Sequence, residues 1–480
     1  MSARESGFTV SVSQNKYLAR NDREVEAVIT VTASGLGGGP GAAGAAPKAA
    51  EIIIVDCSGS MDMPRAKIIA ARRATRAAID ALRDGVLFAV VAGTGYAELA
   101  YPPEPGLVPA SPVTKEDAKL VVDRLVANGG TAMGTWLTLA GRLFEPHPDA
   151  VRHAMLFTDG RNEHETPEEL GRVLDEVRGR FVCDVRGIGD QWEPRELLRI
   201  VAALNGEAGG VAEFGDMTAE FRELMRTAMR KVVPDVDLRL RTLGGARLRY
   251  LKQVFPSVVD LTGQLAREDE LTVKLATGAW ADETREYQLC LEVDPTGKPF
   301  EQDTLAARVS LDVRGAGGRI SVPPELVLAH WTDDVLLVTQ LDPKVTHYTG
   351  QQRLGDAVRD GCAAADAGER ETAEEQLGLA VRLATESGNR KMLELLAGLV
   401  DIVDAGRGEV RLRGDFRLGE LKRLDVTANR SSRFPGRRPK VATVAGGPVR
   451  ECPECAWGNV PDANVCERCG HRLEPVGERS

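Results

Sequence analysis

Residues 51–61 read Glu-Ile-Ile-Ile-Val-Asp-Cys-Ser-Gly-Ser-Met. Ile52 to Val55 is an uninterrupted apolar run that ends on an acid, Asp56, with two hydroxyls following at Ser58 and Ser60. A strand apolar at every position is buried on both faces, as in a parallel sheet covered by helices. The flanking sequence repeats the pattern. VLFAVV (86–91), HAMLFTD (153–159) and FVCDV (181–185) are further apolar runs, and residues 65–82, 115–127 and 167–178 between them carry helical spacing. A last helix, 217–233, ends before Pro234. Residues 51–233 are therefore expected to form an α/β doubly wound, Rossmann-like domain.

In such a sheet, ligands bind in the crevice beyond the carboxyl ends of the strands. Three loops reach that end: Asp56-Cys57-Ser58-Gly59-Ser60, Asn128-Gly129-Gly130-Thr131, and Phe157-Thr158-Asp159-Gly160. They offer the carboxylates of Asp56 and Asp159 and the hydroxyls of Ser58, Ser60 and Thr131. All are hard oxygen donors, with no imidazole or thiolate among them, and that set suits Mg²⁺ or Mn²⁺. Cys57, although flanked by these groups, is expected to point into the core.

DCSGSM, Thr131 and the Thr158-Asp159-Gly160 turn resemble the metal-ion-dependent adhesion site (MIDAS) of von Willebrand factor A (vWA) domains, over residues 51–233. The resemblance implies that Ser58, Ser60 and Thr131 contact the cation directly or nearly so, while Asp56 and Asp159 hold it directly or through water. It implies that a Glu or Asp of a partner protein completes the octahedron. It also implies a non-enzymatic interaction module, a scaffold or adaptor. The residues agree on the last point: Arg161, Glu163 and His164 form no acid–base set, and the six histidines are dispersed in sequence. Gly297-Lys298-Pro299 lacks the hydroxyl and the upstream glycine of a phosphate-binding loop.

Outside this domain, 480 residues are too many for one core. Residues 1–34 and 234–345 alternate apolar and polar side chains, as half-buried strands do. Two N-terminal strands cannot stand alone, so the α/β domain is expected to be inserted in, or followed by, a β-sandwich, with a Gly/Ala linker at 35–50. Residues 346–408 take helical spacing and 409–449 read as a basic, partly disordered tether. In 450–475, Cys452-x₂-Cys455 and Cys466-x₂-Cys469 present four thiolates for a structural Zn²⁺ in a zinc ribbon.

The formal net charge of −10 weighs against general nucleic-acid binding, leaving only the tether and ribbon as a basic candidate surface. The N-terminus has no signal-peptide core and no apolar run reaches bilayer length, so a cytoplasmic protein without membrane partners is expected. The arrangement of parts resembles bacterial, specifically actinobacterial, vWA proteins whose genes lie near Ser/Thr kinases and phosphatases. That resemblance implies a phospho-signalling setting with a kinase or phosphatase as partner. The alternatives are an accessory subunit of an AAA+ ATPase, as in chelatases, and nucleic-acid binding through the basic tether and zinc ribbon.

Overall fold

In the computed structural model the chain forms two units, Met1–Ser432 and Arg433–Ser480. The structure describes residues 7–36, 48–211, 215–315, 318–320, 322–434, 450–451 and 458–459. The second unit carries a short antiparallel pairing of Arg450–Glu451 with Gly458–Asn459. Cys452, Cys455, Cys466 and Cys469, the zinc-ribbon cysteines of the sequence reading, lie outside the described residues.

Strand Ala49–Asp56 is buried at every residue because it has a parallel neighbour on each side, Leu87–Gly93 and Val151–Thr158. Val182–Ile188 and Ala208–Val211 continue the sheet in parallel on one flank, and Ala97–Tyr101 adds an antiparallel strand on the other. Ile53 and Val55 point into a core shared with helices Ala66–Ala81, Pro112–Val122 and Met217–Ala228. Ile52 and Ile54 point into the opposite core, with helices Met133–Phe144, Pro167–Val177 and Pro194–Leu204. The period of two in a strand therefore serves two cores at once, which is why the run is apolar throughout. The strand order reverses beside Ala49–Asp56, so its carboxyl end lies at the switch point where such sheets open a crevice. Helices Pro112–Val122 and Pro167–Val177 start on a proline behind a capping box, Ser111 with Thr114 and Thr166 with Glu169.

The strands before and after this domain share one apolar core. Glu24–Ser34 lies between Gly7–Asn15 and Thr284–Glu292, and Arg247–Phe255 and Val259–Asp260 complete that sheet. A second sheet is centred on Asp235–Thr242, between Thr272–Ala276 and Asp303–Gly315, with Glu325–Trp331 beyond. Val25, Ile29, Val31, Leu238, Leu289 and Val309 belong to the common core. The α/β domain is thus inserted between Ser34 and Asp235. Its exit is tied down where the amides of Val232 and Val233 both donate to the Trp280 carbonyl. The buried Arg285 guanidinium lies 4.2 Å from the Trp280 ring and donates to the Ala279 and Thr277 carbonyls.

Helices Pro343–Asp366, Arg370–Glu386 and Arg390–Leu399 follow, and strands Val400–Asp404 and Glu409–Leu412 pair as a hairpin rather than extending the helical segment. The sequence reading of 409–449 as a tether requires correction over 409–434, while residues 435–449 lie outside the described residues. Helix Leu418–Thr427 buries Leu421 and Leu424 in the helical core and Val426 in the α/β core. Its apolar residues number too few to stand out among the arginines, and they are buried only because two separate surfaces meet on them. Among the described residues no helix is long and apolar enough to cross a membrane.

Candidate metal centre

Asp56 closes its strand fully buried, and its two oxygens are held differently. Oδ1 accepts the Ser58 amide at 2.7 Å, and Oδ2 accepts the Thr158 hydroxyl at 2.7 Å. These bonds turn the chain sharply out of the strand and bring Ser58 Oγ to 2.9 Å from Ser60 Oγ. The Ser60 hydroxyl donates to Asp159 Oδ1 at 2.7 Å. Asp159 Oδ2 accepts the Lys67 ammonium at 2.5 Å, a contact that no motif anticipates.

The second loop is latched to the first by two backbone bonds. Gly59 N donates to Gly129 O at 2.9 Å, and Asn128 N donates to Cys57 O at 2.7 Å. Thr131 is held from the far side: its amide donates to His164 Nδ1 at 3.1 Å, while the His164 amide donates to Thr131 O at 3.0 Å. A Cβ on Gly130 would overlap the His164 ring, so this position has room for glycine alone. A Cβ on Gly160 would lie 3.4 Å from Ser60 Oγ and 3.6 Å from Thr131 Oγ1. Hydroxyls of the first and second loops therefore face one small space that Gly160 leaves open. The space belongs to a crevice of about 450 Å³ whose walls include Ser58, Ser60, Thr131, Arg161, His164 and Lys422.

The five sequence-predicted donors are thus brought together, and their chemistry fits a hard divalent cation. Among the described residues no trio of His, Cys, Asp and Glu side chains converges as a metal cluster, so the candidate rests on hydroxyls with two carboxylates. Burial pushes the Asp56 carboxyl up to about 6, offset in part by the hydrogen bonds from Ser58 and Thr158. Burial also pushes the Cys57 thiol up to about 12, and its side chain packs in the apolar core; it is a small hydrophobe.

In the sequence Thr158 stands within the motif and His164 is weighed as an acid–base group, but neither shows its supporting role, and Lys67 is not singled out. Thr158 and His164 act through other residues, by orienting Asp56 and Thr131. Lys67 carried a usable signal. Helical spacing puts it on the same stripe as Ala71, Ala74 and Ala78, all buried, and a charge on an apolar stripe has a partner.

The family described as von Willebrand factor type A domain matches residues 50–209. A solved structure titled von Willebrand factor type A, from Catenulispora acidiphila, is 42% identical. That match covers 90% of this chain and 99% of the other, with a TM-score of 0.82. The ArnB paralog VWA2 from Sulfolobus acidocaldarius is 12% identical over 88% of this chain and 98% of its own, with a TM-score of 0.53, a likeness of fold. No curated protein sequence matches the chain.

Proposed function

The chain belongs to the von Willebrand factor type A family, and we propose that it is a non-enzymatic scaffold that captures an acidic group of a partner protein through a divalent cation. Asp56, Ser58, Ser60, Thr131 and Asp159 would hold Mg²⁺ or Mn²⁺. The observation that carries this reading is that the hydroxyls of Ser58, Ser60 and Thr131 line one crevice beside Gly160, with the Asp56 and Asp159 carboxylates hydrogen-bonded to the Ser58 amide and the Ser60 hydroxyl. A cation held there would supply a hard positive centre, which a carboxylate matches in charge and hardness.

The chain's own residues do the rest. Thr158 and the Ser58 amide fix both oxygens of Asp56, so the first loop needs no reorganisation to present its hydroxyls. Arg161 stands exposed on the crevice wall and makes no ion pair among the described residues; it favours an anionic partner. His164 Nδ1 is engaged by the Thr131 amide and serves as a support. This weighs against a role as general base.

A protein partner is favoured over a small substrate because helix Leu418–Thr427 adds Leu418 and Lys422 to the crevice wall. The recognition surface thus spans the α/β domain and the helical segment. A phospho-signalling assembly in the cytosol and an AAA+ ATPase assembly both offer acidic protein surfaces, and the partner's identity distinguishes them. We assign Cys452, Cys455, Cys466 and Cys469 to a structural Zn²⁺, on the spacing of the two Cys-x₂-Cys pairs.

The test is affinity capture with wild type and the double variant Asp56→Ala/Ser58→Ala, each in Mg²⁺ and in EDTA. The expected result is a partner retained by wild type in Mg²⁺ alone. The same partners in all four conditions would refute metal-gated capture. Zinc analysis of the purified chain, expected at one ion per chain and lost in Cys452→Ser, tests the ribbon.

A further inference from the structure

Both oxygens of Asp159 are already engaged, one by the Ser60 hydroxyl and the other by the Lys67 ammonium. The ion pair is closed off from solvent, with side-chain exposures of 5% for Lys67 and 0% for Asp159. Lys67 Nζ also lies 3.4 Å from the Ser60 carbonyl. The ammonium therefore holds one oxygen of the carboxylate whose other oxygen accepts the Ser60 hydroxyl, a hydroxyl that lines the crevice. With Asp56 and Asp159 ionised, Lys67 reduces the charge of the buried cluster from −2 to −1.

The geometry points to Lys67 as a built-in counter-cation: it neutralises Asp159 while no divalent ion is bound, and metal entry is an exchange in which the ammonium leaves. The inference rests on the metal-binding reading above and concerns how that site fills. An ammonium and a divalent ion on one carboxylate repel each other strongly where water is excluded, so the two occupy Asp159 alternately.

A destination for the displaced ammonium is present. Lys67 lines a second cleft of about 530 Å³, which the acids Asp190, Asp216, Glu220 and Glu420 border together with Arg417 and Arg423, four acids to two arginines. Glu220 is paired with Arg186 at 2.9 Å, but Asp190 and Asp216 make no ion pair among the described residues. A lysine stem has four rotatable bonds, so the ammonium can turn toward this cleft while its backbone stays in helix Ala66–Ala81. Two consequences follow. Lys67 neutralises Asp159 and leaves Asp56 held by hydrogen bonds from the Ser58 amide and the Thr158 hydroxyl alone, and metal affinity is lower than the oxygen donors alone would give.

The experiment uses the full chain and Mn²⁺ as the probe, titrated calorimetrically into wild type, Lys67→Met and Lys67→Arg. Lys67→Met keeps the length and removes the charge. It should bind Mn²⁺ at least about tenfold tighter than wild type and melt at a lower temperature in EDTA, whereas Lys67→Arg should bind no tighter than wild type. A second readout needs no variant. Reductive methylation of Lys67 in wild type, quantified by peptide mass spectrometry, should rise in Mn²⁺ relative to EDTA. Equal or weaker Mn²⁺ binding by folded Lys67→Met, or methylation that Mn²⁺ leaves unchanged, would overturn the exchange while the metal site stands. Absence of Mn²⁺ binding in wild type and Lys67→Met alike would overturn the metal-binding reading and the exchange with it. Should Lys67→Met fail to fold, the methylation result decides.

Discussion

Glycine shapes the candidate centre at two positions for different reasons. Gly160 leaves open the space between Ser60 Oγ and Thr131 Oγ1, and a methyl there would stand 3.4 Å and 3.6 Å from the two oxygens. Those are ordinary contact distances, so Gly160→Ala should fold with stability within about 1 kcal/mol of wild type. Its methyl would occupy the place of the cation, and Mn²⁺ affinity should fall by at least about tenfold. Calorimetric titration beside a thermal melt checks both halves; unchanged affinity would show that the cation does not sit between those hydroxyls. Gly130 is a packing requirement. A methyl there meets the His164 ring, so Gly130→Ala should lower the melting temperature as well as metal affinity.

Among the elements, the parallel strands carry a second polar cluster away from their carboxyl ends. His153 is fully buried, with Nδ1 2.8 Å from Glu51 Oε1 and Nε2 3.1 Å from Asp184 Oδ2. Burial by itself would depress the imidazole pKa, but the charge of Glu51 and the hydrogen bonds to Asp184 and Glu51 more than offset it and hold it up to about 9. A group whose pKa is raised on folding contributes stability that is complete below its unfolded value and is lost as pH rises through the folded value. The chain should therefore lose stability between about pH 6.5 and pH 9, on the order of 3 kcal/mol from this group. Urea unfolding across that range, compared with His153→Asn, checks this; an equal decline in the variant would assign the loss to other groups.

Helix Leu418–Thr427 is the element that neighbouring surfaces define most strongly. Lys422 donates to the carbonyls of Asp190 and Trp192 at 2.8 and 2.7 Å, clamping the helix to the loop that borders the crevice. Gly210 passes close beneath Arg423 and Trp192 where the helix covers the edge strand Ala208–Val211. Removing the clamp with Lys422→Met leaves two carbonyls without that donor and should cost about 1–3 kcal/mol. Hydrogen exchange should show the loss first in this helix and in the 190–192 loop; exchange unchanged in both would mean that apolar packing alone holds the helix.

For the whole molecule, the insertion makes the first strands essential to residues far along the chain. Glu24–Ser34 pairs with Thr284–Glu292 over its length, and Val25, Ala27, Ile29 and Val31 are fully buried. A chain beginning at residue 48 would expose the free edge of Thr284–Glu292 and lose half of one sheet. Its β-domain should show no cooperative transition in calorimetry, while a transition from the α/β domain remains. A β-domain that melts cooperatively without residues 1–47 would contradict the shared core.

Local pattern was sufficient to set the α/β class, because a strand that serves two cores must be apolar at every position, and Ile52 to Val55 are. The positions of the oxygen donors were legible as well, since strand-end residues of a doubly wound sheet share one rim whatever the helices between them do. Helix Leu418–Thr427 was not, because its apolar residues face two different cores and form no single stripe. Lys67 could be noticed as a charge on an apolar helix face, but not assigned to Asp159, which lies 92 residues away in sequence. Local periodicity reports which side chains are buried. Which buried charge meets which is decided only when strands and helices distant in the chain pack against one another.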